Sequence, residues 1–79
     1  MLQSNREGVI VRTGRYRHYK GKEYEVLGVA THSESLKELV VYRALYGVQR
    51  MWARPLQMFL ENVTVDGKKQ PRFVYLGSE

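Results

Sequence analysis

The sequence predicts a small, mainly β domain: a strongly bent five-stranded sheet or SH3-like barrel, with one short helical plug near 55–61. Three observations carry this. Short runs rich in Val, Tyr, Leu and Thr alternate in the period-two pattern of half-buried strands. Gly21, Gly47 and the Asp66-Gly67 pair punctuate those runs where tight turns are needed. Between the strands, only Pro55–Glu61 changes to clear helical spacing.

Residues 1–13 read as an N-terminal arm, in which the β-branched run Gly8–Arg12 can add an edge strand. The single domain is expected over 14–76, with 77–79 as a tail. Its first strand is Gly14–Tyr19. Alternation puts Tyr16, His18 and Lys20 on one face and Arg15, Arg17 and Tyr19 on the other. Lys20-Gly21-Lys22 reads as a tight turn, with Gly21 supplying a positive φ. The second strand, Glu23–Thr31, places Tyr24, Val26, Gly28 and Ala30 against Glu25, Leu27, Val29 and Thr31. Both faces carry apolar residues, so this strand is central, and Gly28 is the natural place for a bend.

His32–Glu38 is polar and reads as a loop, with Ser35 and Glu38 spaced as a capping box. Leu39–Tyr46 is the third strand and Gly47 ends it. Met51–Arg54 is a short fourth strand stopped by Pro55. Leu56, Phe59, Leu60 and Val63 then follow helical spacing, and Pro55 suits a first helical position. Asn62–Val65 extends again, Asp66-Gly67 signals a hairpin, and Pro71–Leu76 is the closing strand.

Composition bounds the function. A chain of 79 residues with no cysteine holds no disulfide and no thiolate zinc site. Cohesion must come from an apolar core in which aromatic rings supply much of the area. The two histidines and the carboxylates are not spaced as a metal-ligand set, so no metal and no cofactor is expected. No apolar run approaches the length of a membrane span, and the polar N-terminus lacks a signal segment. The expected setting is cytoplasmic with no membrane partner, and the expected state is a monomer or a homodimer paired through an edge strand. The net charge of +5 is uneven. Arg6, Arg12, Arg15, Arg17, Lys20 and Lys22 stand against Glu7 alone, whereas Glu23, Glu25, Glu34 and Glu38 make the middle acidic. That pattern predicts internal pairing together with an anion-seeking face.

Five ordered blocks carry a resemblance. They are Gly14–Gly21, Tyr24–Glu34, Val40–Gly47, Trp52–Pro55 with Met58-Phe59, and Pro71–Phe73. Together they resemble the small, mostly bacterial "domain of unknown function" family numbered 1653, over about residues 14–76. The resemblance implies no established activity. It directs attention to His18, Tyr19, Lys20, Tyr24, His32, Ser33, Glu34, Tyr42, Tyr46, Trp52, Arg54 and Arg72, which lie in those blocks.

Three readings of function follow from the residues. The first is a non-enzymatic binding module for an anionic ligand, nucleic acid among the candidates. Arg15, Arg17, Lys20 and Arg54 would meet charge, and His18, Tyr19 and Trp52 would stack. The second is an accessory protein- or peptide-interaction module using a groove around Tyr46 and Trp52. The third is a small hydrolase-like domain using His18, His32 and Glu34, for which no catalytic set is assigned. Each residue also has a structural explanation. The rings are core, Arg54 pairs with Glu61 or another carboxylate, and Ser33 and Glu34 satisfy backbone donors in a loop.

Overall fold

The computed structural model describes residues 2–4 and 10–78. In chain order these form β1 (Leu2–Ser4), β2 (Ile10–Arg12), β3 (Gly14–His18), β4 (Glu23–Thr31), β5 (Glu38–Ala44), β6 (Met51–Pro55), α1 (Leu56–Phe59), β7 (Asn62–Val65), β8 (Lys68–Pro71) and β9 (Phe73–Gly77). Strands β6-β5-β4-β3-β9, in that order, make one antiparallel five-stranded sheet. The sheet stays open, with β6 and β9 as its edges. The bent-sheet form of the expectation therefore holds, and the closed barrel does not form. The chain between β6 and β9 makes α1 and a hairpin in which β7 pairs with β8, so no described strand joins the two edges.

Strand alternation sets the two faces. In β3, Tyr16 is buried while Arg15 and Arg17 point to solvent. In β5, Val40, Tyr42 and Ala44 are buried and alternate with half-buried Leu39, Val41 and Arg43. The inner face carries α1, and the outer face is charged. β4 departs from its simple alternation. Its pairing with β5 slips between Val26 and Gly28, leaving Leu27 as an extra, exposed residue. A bulge of this kind reverses side-chain parity. Val29 thus pairs with Val40 and packs on the same core as Val26, instead of facing away from it.

The core joins Val11, Tyr16, Val26, Val40, Tyr42, Leu56, Phe59 and Phe73. Val11 brings β2 into it, and β1 and β2 pair antiparallel and lie against β4. Gly8 and Val9 of the expected N-terminal run lie outside the described residues. Leu56 and Phe59 are the buried residues of α1. Four residues cannot hold a helix in water by propensity alone, so this turn depends on that burial.

Several boundaries shift. β5 stops at Ala44 because Leu45–Gln49 turns, with the Gln49 amide donating to the Tyr46 carbonyl. Pro55 closes β6 with extended ψ and precedes the helix, so it stands at the cap and not at the first helical position. The Ser35–Glu38 capping box is absent. Ser35 Oγ accepts the Lys37 amide, Glu38 accepts from Thr31, and residues 33–35 form a turn without a helix. Pro71 ends β8, and the strand that joins the sheet is Phe73–Gly77. Asp66 and Gly67 both take positive φ, the conformation a two-residue hairpin needs, as the sequence predicts.

Gly14 has φ +134°, and a Cβ built there would lie 2.5 Å from the Gly77 carbonyl oxygen. Gly14→Ala is expected to cost about 1–3 kcal/mol of stability through this strained backbone and crowding. Phe59→Ala is expected to cost about 3–5 kcal/mol, because it empties the centre of the core. Urea unfolding of the two variants checks both values.

A cationic aromatic face

Every Tyr and Phe of the chain, together with His18, belongs to one network of touching rings. Its centre is a parallel stack of Phe59 on Phe73, 4.2 Å between centroids and 11° between planes. Tyr16 and Tyr42 meet Phe59 from the sheet. Away from α1 the network opens. His18 stands edge-on to Phe73 at 5.0 Å with Tyr19 tilted against it, and Tyr24 touches Tyr42, Phe73 and Tyr46. Helix α1 and Val11 of β2 cover part of the inner face, and the open part keeps half-buried His18 and Tyr24 beside exposed Tyr46.

Cations frame this open half. Arg54 lies opposite Val40 on β6, donates from Nε to the Tyr42 hydroxyl at 3.1 Å, and holds its guanidinium 5.8 Å from the Phe73 ring centre. Lys20 lies over Tyr19, and Lys22 over Tyr46 at 4.8 Å. Arg72, between β8 and β9, donates to the Met58 carbonyl and to Glu61. Among the described residues no carboxylate pairs with Arg54, Lys20 or Lys22. The acidic side chains sit elsewhere. Glu23 pairs with Arg15 and Arg17, and Glu25 lies across from both Arg15 and Arg43.

The cations register on their neighbours. Burial, and then the charges of Arg54, Arg72 and Lys20, hold the His18 imidazole below its ordinary value of 6.5. Its Nδ1 accepts the Lys20 amide at 3.2 Å, so the proton of the neutral ring sits on Nε2. Burial and a 2.8 Å hydrogen bond to the Tyr46 hydroxyl push Tyr24 up to about 12. Arg54 opposes that rise.

The sequence pattern of a protein family of unknown function, DUF1653, matches residues 14–75. The chain belongs to the DUF1653 family. A crystal structure of a DUF1653 protein from Bordetella bronchiseptica is 41% identical and superposes with a TM-score of 0.81. The likeness covers 87% of this chain and 91% of that one. No curated protein matches the chain. The family match takes in His18, Tyr24, Tyr42, Arg54, Arg72 and Phe73, and it leaves out the core residue Val11.

Within this DUF1653 domain the sequence-predicted residues separate into three places. His18, Lys20, Tyr46, Trp52 and Arg54 share the inner face, and Tyr19, expected on the other face, lies past the end of β3 with its ring against His18. Trp52 lies opposite Tyr42, 45% exposed, and it is the one aromatic residue outside the ring network. Arg15 and Arg17 lie on the outer face against Glu23 and cannot join Arg54. That face bears an open depression of about 200 Å³ lined by Gly14, Arg15, Glu25, Leu45 and Ser78, away from the ring cluster. His32 and Glu34 lie past the far end of β4, about 30 Å of strand from the Lys22 end where His18 is bonded. The His18, His32 and Glu34 set is therefore not brought together. His32 Nδ1 instead accepts the amides of Glu34 and Ser35 and organises the β4–β5 loop. Glu61 pairs with Arg72 and not with Arg54.

Lys22 and Phe73, not singled out in the sequence, also line this face with Tyr24 and Arg72 of the family blocks, and strand register is what places them there. The turn makes Arg17 pair with Glu23 and binds the His18 amide to the Lys22 carbonyl. Tyr24 therefore lies directly opposite Tyr16 and diagonal to His18.

Two titrations follow from this geometry. The unfolded chain protonates His18 near 6.5 and the folded domain protonates it only at lower pH, so stability is lost as pH falls below 6.5. His18→Gln is expected to flatten that part of the stability–pH curve, measured by urea unfolding. Tyr24 behaves in the opposite sense: its contribution is complete below pH 10 and is lost as pH rises toward 12. An ultraviolet titration should show Tyr16 and Tyr24 ionising late, and Tyr46→Phe should bring Tyr24 earlier by removing the hydrogen bond.

Proposed function

We propose that this domain is a non-enzymatic binding module whose inner face takes an anionic ligand, with nucleic acid among the candidates. One observation carries the reading. Arg54 is half-buried against Tyr42 and Phe73 with no carboxylate among the described residues paired to it, and it stands with Lys20, Arg72 and His18 at the rim of half-exposed rings. A guanidinium anchored by a tyrosine hydroxyl and a ring face is pre-oriented, and its remaining N–H groups suit oxyanions. The polar groups around it add donors: Nε2–H of His18 and the ammonium groups of Lys20 and Lys22. A cytoplasmic, bacterial setting accompanies this reading. No described helix is long and apolar enough to cross a membrane, the chain has no cysteine, and the similar crystal structure is of a bacterial protein.

A second reading, an accessory protein- or peptide-interaction module, draws on the β5–β6 corner. Tyr46, Val48, Met51 and Trp52 are all exposed there, next to the edge strand β6. Loss of a captured partner on Trp52→Ala, with Arg54→Ala harmless, would favour it.

The anion reading is tested by nuclear magnetic resonance titration of the labelled domain with a short oligonucleotide at low and high salt. Shifts should centre on residues 18–24 and 52–54 and weaken with salt. Arg54→Ala should lower affinity about tenfold or more, as expected for a lost charge-assisted contact, and Arg17→Ala should leave it nearly unchanged. Bound anion should also raise the pH at which His18 titrates, because it offsets the repulsion from Arg54, Arg72 and Lys20. Equal loss from Arg17→Ala and Arg54→Ala, or no binding at either salt, would remove the proposal.

A further inference from the structure

The anchored Arg54 accounts for one charge contact. The rest of the inner face repeats a motif that a single anion site does not use. Three solvent-accessible rings each carry their own cation: Tyr19 with Lys20 at 5.9 Å, Tyr46 with Lys22 at 4.8 Å, and Trp52 with Arg50 at 5.9 Å. They are distributed across the sheet. Tyr19 follows β3, Tyr46 follows β5 and Trp52 lies on β6, so the row crosses three strand intervals, about 14 Å. Trp52 shares the face of Tyr42, and Tyr46 shares that of Tyr24 through their hydroxyl pair.

We infer that the anionic ligand of this face is a single-stranded nucleic acid, whose bases stack on Tyr19, Tyr46 and Trp52 while its phosphates take Lys20, Lys22, Arg50 and Arg54. This inference rests on the anion-binding reading above and narrows it. Single strands present a flat apolar group and a charge in strict alternation, and a row of ring-plus-cation units matches both. The units need no new elements to switch. Each cation hangs on a long stem, so it can leave its ring for a phosphate and free the ring for a base. Magnitudes favour the exchange. An exposed cation–ring contact is worth about a two- to fivefold factor, whereas stacking one base on an aromatic ring is worth about five- to hundredfold. Duplex nucleic acid hides its base faces and offers the row only phosphates. An acidic peptide offers carboxylates without regularly spaced flat groups.

The probes are an oligothymidylate of about eight nucleotides, within the site sizes of single-strand binders, its abasic counterpart with the same phosphates, a duplex of the same length and an acidic, aromatic peptide. Affinity of the full chain for each is read by fluorescence of Trp52, the single tryptophan, and by resonance shifts for the Trp52 variant. The oligothymidylate should bind at least about fivefold tighter than the abasic strand and the duplex, with quenching of Trp52. Trp52→Ala, an exposed position, should narrow that preference while keeping abasic binding. Equal affinity for base-bearing and abasic strands, or preference for duplex, would overturn the single-strand inference and leave the anion-binding reading standing. Tighter binding of the peptide would overturn it in favour of a protein partner. Binding of none of the four would overturn both.

Discussion

The stack of Phe59 on Phe73 holds this domain together. It ties α1 to an edge strand of the sheet, across the residues that separate α1 from β9 in the chain. Without disulfides or a long helix, cohesion rests on interlocked rings, and this contact is where Tyr16, Tyr42 and His18 converge. The backbone supports it. Arg72 donates its amide to the Glu61 carbonyl and accepts the Tyr19 amide, fastening the end of α1 to the end of β3. The cover is nonetheless short, one helical turn with Val11 of β2 beside it, whereas the sheet beneath is five strands wide. A short lid on a broad aromatic floor leaves part of the floor half-wet, and that part is the candidate site.

Strand periodicity then separates charge. A one-residue step along β3 takes Tyr16 and His18 inward and Arg15 and Arg17 outward. On the outer face the arginines meet Glu23 and lie beside Glu25, so positive charge there is largely offset. On the inner face Arg54, Lys20 and Lys22 have rings as neighbours in place of carboxylates. His18 lies within this field, held low first by its burial and then by Arg54, Arg72 and Lys20. A net charge of +5 on the whole chain thus understates how one-sided the domain is.

Most of this frame could be read in the residues, and the exceptions have physical causes. The limits of β4, the alternation in β5 and the Asp66-Gly67 hairpin depend on local period and turn chemistry, which single residues display. The parity reversal at Leu27 does not, because a bulge at Leu27 and a simple bend at Gly28 look alike until the partner strand is placed. The same holds for the site. His18, Tyr19, Lys20 and Arg54 stand out in sequence by type. Arg15 and Arg17 stand out equally and fall on the wrong face once Glu23 pairs with them. Tyr24 and Arg72 stand out through the family resemblance, but their place beside His18, like that of Phe73, comes only from register and from the pairing of β9 with β3. Arg72 turns to Glu61, which leaves Arg54 its place over Phe73.

Hydrogen-bond direction decides which groups the open half of the inner face offers. Both imidazoles spend Nδ1 on backbone amides: His18 on Lys20, and His32 on Glu34 and Ser35. A neutral imidazole has one lone pair in its ring plane, and here each is occupied. With Nδ1 accepting, the neutral form of each ring turns an Nε2–H outward. Arg54, Lys20 and Lys22 are donors as well, and the Tyr24 hydroxyl is held by Tyr46 and kept neutral to high pH. The open half of the inner face is therefore donor-rich and acceptor-poor, floored by rings. A partner that satisfies it must bring acceptors in excess together with flat apolar surface. The proposed binding would need no large movement of the sheet, because the groups that would change partner are the long cationic side chains at its rim.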